Sequence, residues 1–320
     1  MKISLQLYLT AALLFCLVSC DPIPKDCNTV GMHFEDVENF WKAYDDVKNV
    51  KDHYLRTKII QKKYIDVSSD GLKLLIEKDN LTAADYATFL KDTVFYNSIR
   101  AVTLNTKNDT LQLRSHLRNF EKLYPNASFD DIYFVFGQFK RAGTVVDNTI
   151  IIQLEKNARS ERTQSAFLFN DQELLNLNDS QSLVPLVMHE QVHVNQTYIN
   201  TRGLLSKSIC EGSADFLMHL QTGRLPSLSK ETYDYGEQNE AMLWAKFITD
   251  LDIDYRYIKT DWFYNYDRDD LPPDLGYFMG YKICEKFYNE ADNKFKAITF
   301  MLDGRNSARL LELSGYKGGL

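Results

Sequence analysis

The chain has little proline, glycine, histidine or cysteine, and it has no long run of charge of either sign. Its 320 residues include only 7 prolines and 14 glycines, and no low-complexity segment or internal repeat is visible, which indicates an ordinary globular chain. The net charge of −7 is not accompanied by a basic stretch, so the basic face of a nucleic-acid-binding protein is not expected.

The cysteines are too few to form a disulfide framework. Cys16 and Cys20 lie in the N-terminal apolar segment, which leaves Cys27, Cys210 and Cys284. Three is an odd number and no Cys-x-x-Cys pair occurs among them, which argues against a stapled fold. One disulfide bridge between two of these three cysteines remains an alternative, because the sequence does not indicate which two would pair.

The first twenty residues have the pattern of an export signal. The run from Leu5 to Val18 is nearly all apolar, but it is too short for a membrane span. It ends in the sequence LVSC, which resembles a bacterial lipobox. On this interpretation residues 1–19 are a lipoprotein signal peptide, Cys20 carries the lipid anchor (a palmitate-type acyl group), and residues 20–30 form a lipidated tether. The alternative is a conventional signal peptide with an incidental cysteine.

Two β-type runs among helical patterns predict an α+β fold that is mainly helical. Helical periodicity begins at Phe34, a helix start is expected at Thr82, and a further helix covers about 109–123. Strands are predicted at Ile132–Phe136 and Thr149–Leu154, joined by a polar, glycine-bearing connection.

No domain boundary is visible in the mature chain. We therefore treat residues 31–320 as a single domain. Its first part, 31–129, is helical, and its second part, 130–320, contains the predicted strands and the motif described next.

Residues 187–196, VMHEQVHVNQ, lie in an apolar stretch that predicts a helix over about 181–199. On that helix His189 and His193 are one turn apart, roughly 6 Å along the axis, so both can bind one metal ion. Glu190 points about 100° away from His189 and is therefore predicted to act on a water molecule as general base. This is the physical content of the HExxH pattern.

A catalytic zinc site needs a third protein ligand and one open position. Gln196 and Ile199 exclude the version HExxHxxGxxH. The following helix carries Glu211 and Asp215 one turn apart. Glu211 is predicted to complete the zinc shell, and Asp215 to accept the free N–H of a ligand histidine. His219, two turns beyond Glu211, is an alternative ligand, although a half-buried structural histidine is the simpler interpretation.

Three segments carry a resemblance to a known family. VMHEQVHVNQ, CEGSADFL and DLGYFMGYKICEKFY are similar to segments of the predicted zinc-dependent proteases of the DUF2268 type, and IYFVFGQFKRAGTVVDNTIIIQLE resembles the region that precedes the metal helix there. The likeness covers roughly residues 130–320. A lipoprotein with these motifs is also distantly similar to the gliding-motility lipoproteins of Bacteroidetes.

The resemblance implies a gluzincin-like metallopeptidase. The fold would be zincin-like, with a small β-sheet beside the metal-bearing helices and the strand Thr149–Leu154 near the cleft. In such folds an edge strand above the metal pairs with an extended substrate.

Two tyrosines are candidates for stabilising an oxyanion. Tyr277 and Tyr281 are one turn apart, so both could face one cleft, and a hydroxyl there could donate to the developing charge. Tyr277 is favoured because it lies nearer the helix start. Alternatively, Gly276 and Gly280 only permit close packing of this helix. The segment 261–274 is a candidate loop at the cleft.

The sequence therefore predicts a membrane-anchored zinc metallopeptidase of the cell envelope, facing the periplasm or the exterior. Its Zn²⁺ would be held by His189, His193 and Glu211, with Glu190 as base and a peptide or protein as substrate. The alternative is a non-catalytic envelope lipoprotein that uses a zincin-like scaffold to bind partners in gliding or envelope assembly. A purely structural zinc is disfavoured, because such shells are rich in cysteine and only Cys210 is near.

Overall fold

The computed structural model describes residues 26–200, 202–225, 227–266, 268 and 270–319. The predicted signal peptide, Cys20 and the first part of the tether lie outside these residues. Helices make up most of the described chain and a four-stranded sheet lies among them, which confirms the mainly helical α+β class. The zincin-like part of that expectation stays a prediction.

The N-terminal part consists mainly of helices. Its six helices are α1 (Glu35–Val47), α2 (His53–Ile60), α3 (Asp70–Asp79), α4 (Ala83–Phe89), α5 (Thr93–Asn105) and α6 (Thr110–Leu123). A π-helical turn, Gln61–Ile65, extends α2, and a 3-10 turn, Thr106–Asp109, joins α5 to α6. The predicted start at Thr82 is confirmed, because its side chain accepts a hydrogen bond from Asp85 N and caps α4.

The sheet has four short strands. They are β1 (Met32–His33), β2 (Ile132–Val135), β3 (Gly143–Val146) and β4 (Thr149–Gln153), in the order β1-β2-β4-β3. β2 is parallel to both β1 and β4, whereas β3 is antiparallel to β4. Asp147 and Asn148 form the tight turn between β3 and β4, both with positive φ (48° and 67°), as a hairpin with the twist of its strands requires.

The sheet corrects one expectation about the cleft. The Thr149–Leu154 run forms an internal strand, Thr149–Gln153, between β2 and β3, so it is not an edge. The edge strands are β1 and β3, and β3 lies in the segment interpreted from the sequence as a polar connection. Asp147-Asn148 was the missed signal, because adjacent residues that tolerate positive φ mark a two-residue hairpin.

The C-terminal part contains nine described helices. They are α7 (Asp171–Leu175), α8 (Leu183–Asn195), α9 (Leu204–Thr222), α10 (Ser227–Gln238), α11 (Glu240–Asp250), α12 (Tyr255–Trp262), α13 (Leu275–Glu290), α14 (Lys294–Met301) and α15 (Ser307–Ser314). Short 3-10 turns occur at Leu154–Lys156, Ser180–Ser182 and Gly304–Asn306. In the described part of the chain, no helix is long and apolar enough to span a bilayer.

The helix predicted over 181–199 ends earlier than expected. α8 stops at Asn195, and Gln196 is extended. The reason is tertiary: Thr197 N donates to Leu302 O and Gly304 N donates to Thr197 O, which pulls the chain into a bridge with the C-terminal region.

Helices α9 and α13 touch backbone to backbone through two glycines. A Cβ on Gly280 would lie 1.7 Å from Ser208 O, and a Cβ on Gly212 would lie 2.1 Å from Tyr281 N. Neither position admits a side chain unless the helices separate. The alternative interpretation of Gly280, that it permits close helix packing, is therefore confirmed.

Replacing Gly280 with alanine should separate α9 from α13 and lower the free energy of unfolding by about 3 kcal/mol or more. Urea denaturation measures this loss. The control is Gly203→Ala, where a Cβ meets nothing closer than Ser206 Oγ at 3.8 Å, with an expected loss under about 1 kcal/mol. Equal stability of the two variants would contradict the close approach.

Candidate metal centre

Helices α8 and α9 bring three ligand atoms together. The Nε2 atoms of His189 and His193 are 2.9 Å apart, and Glu211 Oε2 lies 3.4 Å from the first and 3.3 Å from the second. These atoms all lie within 4.8 Å of one another. Two imidazole nitrogens and one carboxylate oxygen on two crossing helices are a donor set that zinc accepts, and the group therefore fits the predicted ion.

The outer nitrogens of both imidazoles have partners of their own. His189 Nδ1 lies 2.7 Å from Asp215 Oδ1, and the Tyr233 hydroxyl donates to Asp215 Oδ2 at 2.9 Å. His193 Nδ1 lies 2.8 Å from Gln196 Oε1. When each Nδ1 carries the proton, each Nε2 presents its lone pair to a metal ion. Asp215 was expected here, whereas Gln196 and Tyr233 were not.

Mutual attraction outweighs burial in this cluster. Burial disfavours the charged form of each group, but Asp215 and Glu211 raise the pKa of His189 to about 9, and Glu211 raises that of His193. Burial likewise acts against ionisation of Glu211, and His193 and His189 nevertheless hold its pKa well below the usual range. A metal ion must therefore displace protons from the imidazoles, so metal binding strengthens as the pH rises.

Glu190 lies beside the ligand group and against the edge of the sheet. A Cβ on Gly143, in β3, would lie 2.6 Å from Glu190 Oε1, so the bare backbone of the strand passes over this carboxylate. Burial raises the pKa of Glu190, and the neighbouring imidazoles partly oppose that effect. The sequence did not identify Gly143 as part of the site.

A buried lysine completes the cluster. Lys207 lies one turn before Glu211 on α9, and its ammonium pairs with Glu211 Oε1. The rings of Phe263 and Tyr264 lie 6.0 and 5.9 Å from the same nitrogen. The (i, i+4) spacing of lysine and glutamate on a helix was the available sequence signal for this pair.

Comparison with family models finds a match over nearly the whole chain. The family model described as gliding motility protein GldB matches residues 23–318, nearly the whole chain. The chain belongs to the GldB family. The comparisons matched no curated protein and no solved structure. The match supports the resemblance to gliding-motility lipoproteins, and a lipoprotein family indicates a membrane-anchored protein of the envelope.

In this GldB-family chain the two candidate tyrosines separate. The Tyr277 ring stacks on His189, with centroids 6.2 Å apart and an interplanar angle of 19°. The Tyr281 hydroxyl instead lies 2.8 Å from Nδ1 of His219 and 3.5 Å from Glu285 Oε1. The structure therefore brings Tyr277 to the ligands and leaves Tyr281 outside the group. It also turns His219, the alternative ligand, towards Tyr281.

The surroundings of Tyr277 favour its protonated form. Burial, with Glu211 and Asp274 adding to it, raises the pKa of Tyr277 well above its ordinary value. A tyrosine in that state is a hydrogen-bond donor, which is the form that stabilisation of an oxyanion requires.

The described residues of the segment 261–274 form part of the surroundings of the site. Phe263 packs on Tyr277 with ring centroids 5.9 Å apart. Asp274 accepts hydrogen bonds from Tyr264 N at 2.8 Å and from the Tyr266 hydroxyl at 2.6 Å. Tyr264 and Tyr266 are about half exposed, at 47% and 51%. Two tyrosines at the rim could therefore contact a bound ligand.

None of the three described cysteines contributes a ligand to this group. Cys210 Sγ donates to Gln196 Oε1 at 3.1 Å, on the Nδ1 side of His193 and away from the Nε2 atoms. Cys27, Cys210 and Cys284 are all free, so the single bridge left open by the sequence does not form among them. This arrangement gives no support to a closed, cysteine-containing structural shell.

Replacing Asp215 with asparagine should weaken zinc binding about 10- to 100-fold. The neutral amide replaces the carboxylate that accepts a hydrogen bond from the His189 N–H, so the charge that supports this imidazole is lost. Competition with a chromophoric chelator at neutral pH measures the affinity. Asp234→Asn is the matched control, since Asp234 pairs only with the exposed Lys230 among the described residues, and it should leave the affinity unchanged. Equal zinc affinity in both variants would contradict the role of Asp215.

Proposed function

We propose that this protein is a lipid-anchored envelope protein of gliding motility that binds one zinc ion through His189, His193 and Glu211. The observation that carries the proposal is the convergence of these three ligand atoms within 4.8 Å on two helices. Its second support is the family match over residues 23–318. Palmitate-type acylation of Cys20 would supply the anchor.

We further propose that the site hydrolyses peptide bonds. Zinc, when bound, supplies a Lewis acid that polarises a carbonyl group and makes water more acidic. Glu190 accepts the proton of the attacking water and then passes it to the leaving amine. Tyr277 donates a hydrogen bond to the oxygen on which negative charge develops.

We propose that an extended peptide binds along the edge strand β3. Gly143 passes over Glu190, so a peptide paired with this strand would bring a backbone carbonyl next to the base. The Val145 carbonyl faces away from β4, since Lys78 Nζ donates to it at 3.3 Å. A peptide that extends to that position would either displace Lys78 or contact it.

A second candidate is a non-catalytic scaffold that binds partners of the gliding machinery. The family match favours this candidate, because gliding motility is the role in the family's description and no hydrolytic activity is part of it. The intact base beside an intact ligand set favours hydrolysis. The two candidates share the metal site and differ in whether Glu190 acts.

Replacing Glu190 with glutamine should keep the zinc and lower peptide hydrolysis by about 100-fold or more, because the amide cannot accept the proton. Zinc content by elemental analysis and cleavage of a mixed peptide library by mass spectrometry measure both properties. Glu285→Gln, a change beside Tyr281 and outside the ligand group, is the control and should cleave like the parent. Full cleavage by the Glu190 variant would exclude Glu190 as the base.

Gliding itself separates the two candidates. In a gliding bacterium that lacks its own copy, we expect neither Glu190→Gln nor His193→Ala to restore colony spreading, because hydrolysis needs both groups. Restoration by the Glu190 variant alone would favour the scaffold, since that variant keeps the metal and the fold. Immunoblots of the membrane fraction provide the control for expression and anchoring.

A further inference from the structure

We propose that Lys207 is a positioning residue that holds one oxygen of Glu211, so that the other oxygen alone faces the metal and one coordination position stays open. This inference rests on the proposed zinc site and adds a residue that the HExxH pattern does not contain.

The two oxygens of Glu211 have different neighbours. Oε2 lies 3.4 Å from His189 Nε2 and 3.3 Å from His193 Nε2, whereas Oε1 pairs with the Lys207 ammonium. A carboxylate that is free to rotate can bind a metal through both oxygens and so occupy an additional position. An ammonium on Oε1 opposes that rotation, because a charge-assisted hydrogen bond would be lost.

Lys207 is fixed in this place by its surroundings. Its side chain is on the first turn of α9 and only 8% of the residue is exposed. The Phe263 and Tyr264 rings lie near the limit of cation–π attraction, and Glu211 is the carboxylate that pairs with it among the described residues. A buried ammonium without a counter-charge is costly, so Lys207 keeps its hold on Oε1.

Lys207 has two opposing effects on metal affinity, and the direction in which affinity changes when the lysine is removed shows which one is larger. Repulsion between the ammonium and a divalent cation weakens binding, so removing the lysine would tighten it if this effect were larger. Orientation of the ligand strengthens binding, and the loss of such an outer partner typically lowers affinity 10- to 100-fold. We expect orientation to dominate, because the ammonium pairs with Oε1, whereas Oε2 is the oxygen that lies within 3.4 Å of both Nε2 atoms.

The test measures zinc affinity of the purified full-length protein by chelator competition. Lys207→Met should bind zinc 10- to 100-fold more weakly, and Lys207→Arg should remain close to the parent because it keeps a donor for Oε1. Lys246→Met is the matched control. Lys246 also pairs with an acid four residues on, Asp250, and lies 5.6 Å from the Trp262 ring, outside the ligand group.

Cobalt gives a second measurement that a merely structural role would not change. With Co²⁺ in the site, the parent should show the strong visible absorption of four-coordinate cobalt. Lys207→Met should show the weaker absorption of a higher coordination number as Glu211 turns both oxygens to the ion. Thermal melting in the presence of chelator checks that the variants fold. If the methionine variant does not fold, Lys207→Leu replaces it, since leucine also has no donor for Oε1.

The outcomes distinguish the two proposals. Equal or tighter zinc binding by Lys207→Met, with unchanged cobalt absorption, would overturn the role of Lys207 and leave the zinc site standing. Failure of the parent protein to bind either metal would overturn both proposals.

Discussion

Ionisable groups buried in apolar surroundings are the constraint around which this protein is organised. α8 is almost entirely buried, yet it carries His189, Glu190 and His193. Charged or polar groups in such a place are stable only with partners, and α9 supplies those partners as Glu211 and Asp215. The crossing of these two helices therefore fixes both the stability of the core and the geometry of the ligand group.

Glycine determines how closely the other elements approach this cluster. Gly212 and Gly280 let α13 lie on the backbone of α9, and this contact brings Tyr277 onto the His189 ring. Gly143 allows a similarly close approach at the sheet, because no side chain lies between the backbone of β3 and Glu190. Three positions without a Cβ thus bring a helix and a strand to the two sides of one polar group.

The family and the site answer different questions about the protein. The description of the GldB family names gliding motility, and a lipoprotein family indicates a place in the envelope. The buried group of His189, His193 and Glu211 is the basis of the proposed chemistry, because function is argued from a site and not from a fold. Two functions are compatible with that family: a metal-binding hydrolase within a motility apparatus and a metal-stabilised scaffold. They differ in whether the Glu190 carboxylate acts as a general base.

The sequence by itself determined the groups that lie within one turn of a helix. Spacing in the sequence predicts the pairs His189/His193 and Glu211/Asp215, because backbone geometry fixes which residues share a helix face. It likewise predicts the cap at Thr82 and the helical N-terminal part. Tertiary structure decided the rest. It separated Tyr277 from Tyr281 and placed β3 at an edge of the sheet. It also brought Gln196, Tyr233 and Gly143 to the cluster. Gly143 and Glu190 are far apart in the chain, and so are Tyr233 and Asp215, so local periodicity cannot predict that they meet. Gln196 is close to His193 in the chain, but its position depends on where α8 ends, and contacts with the C-terminal region set that end.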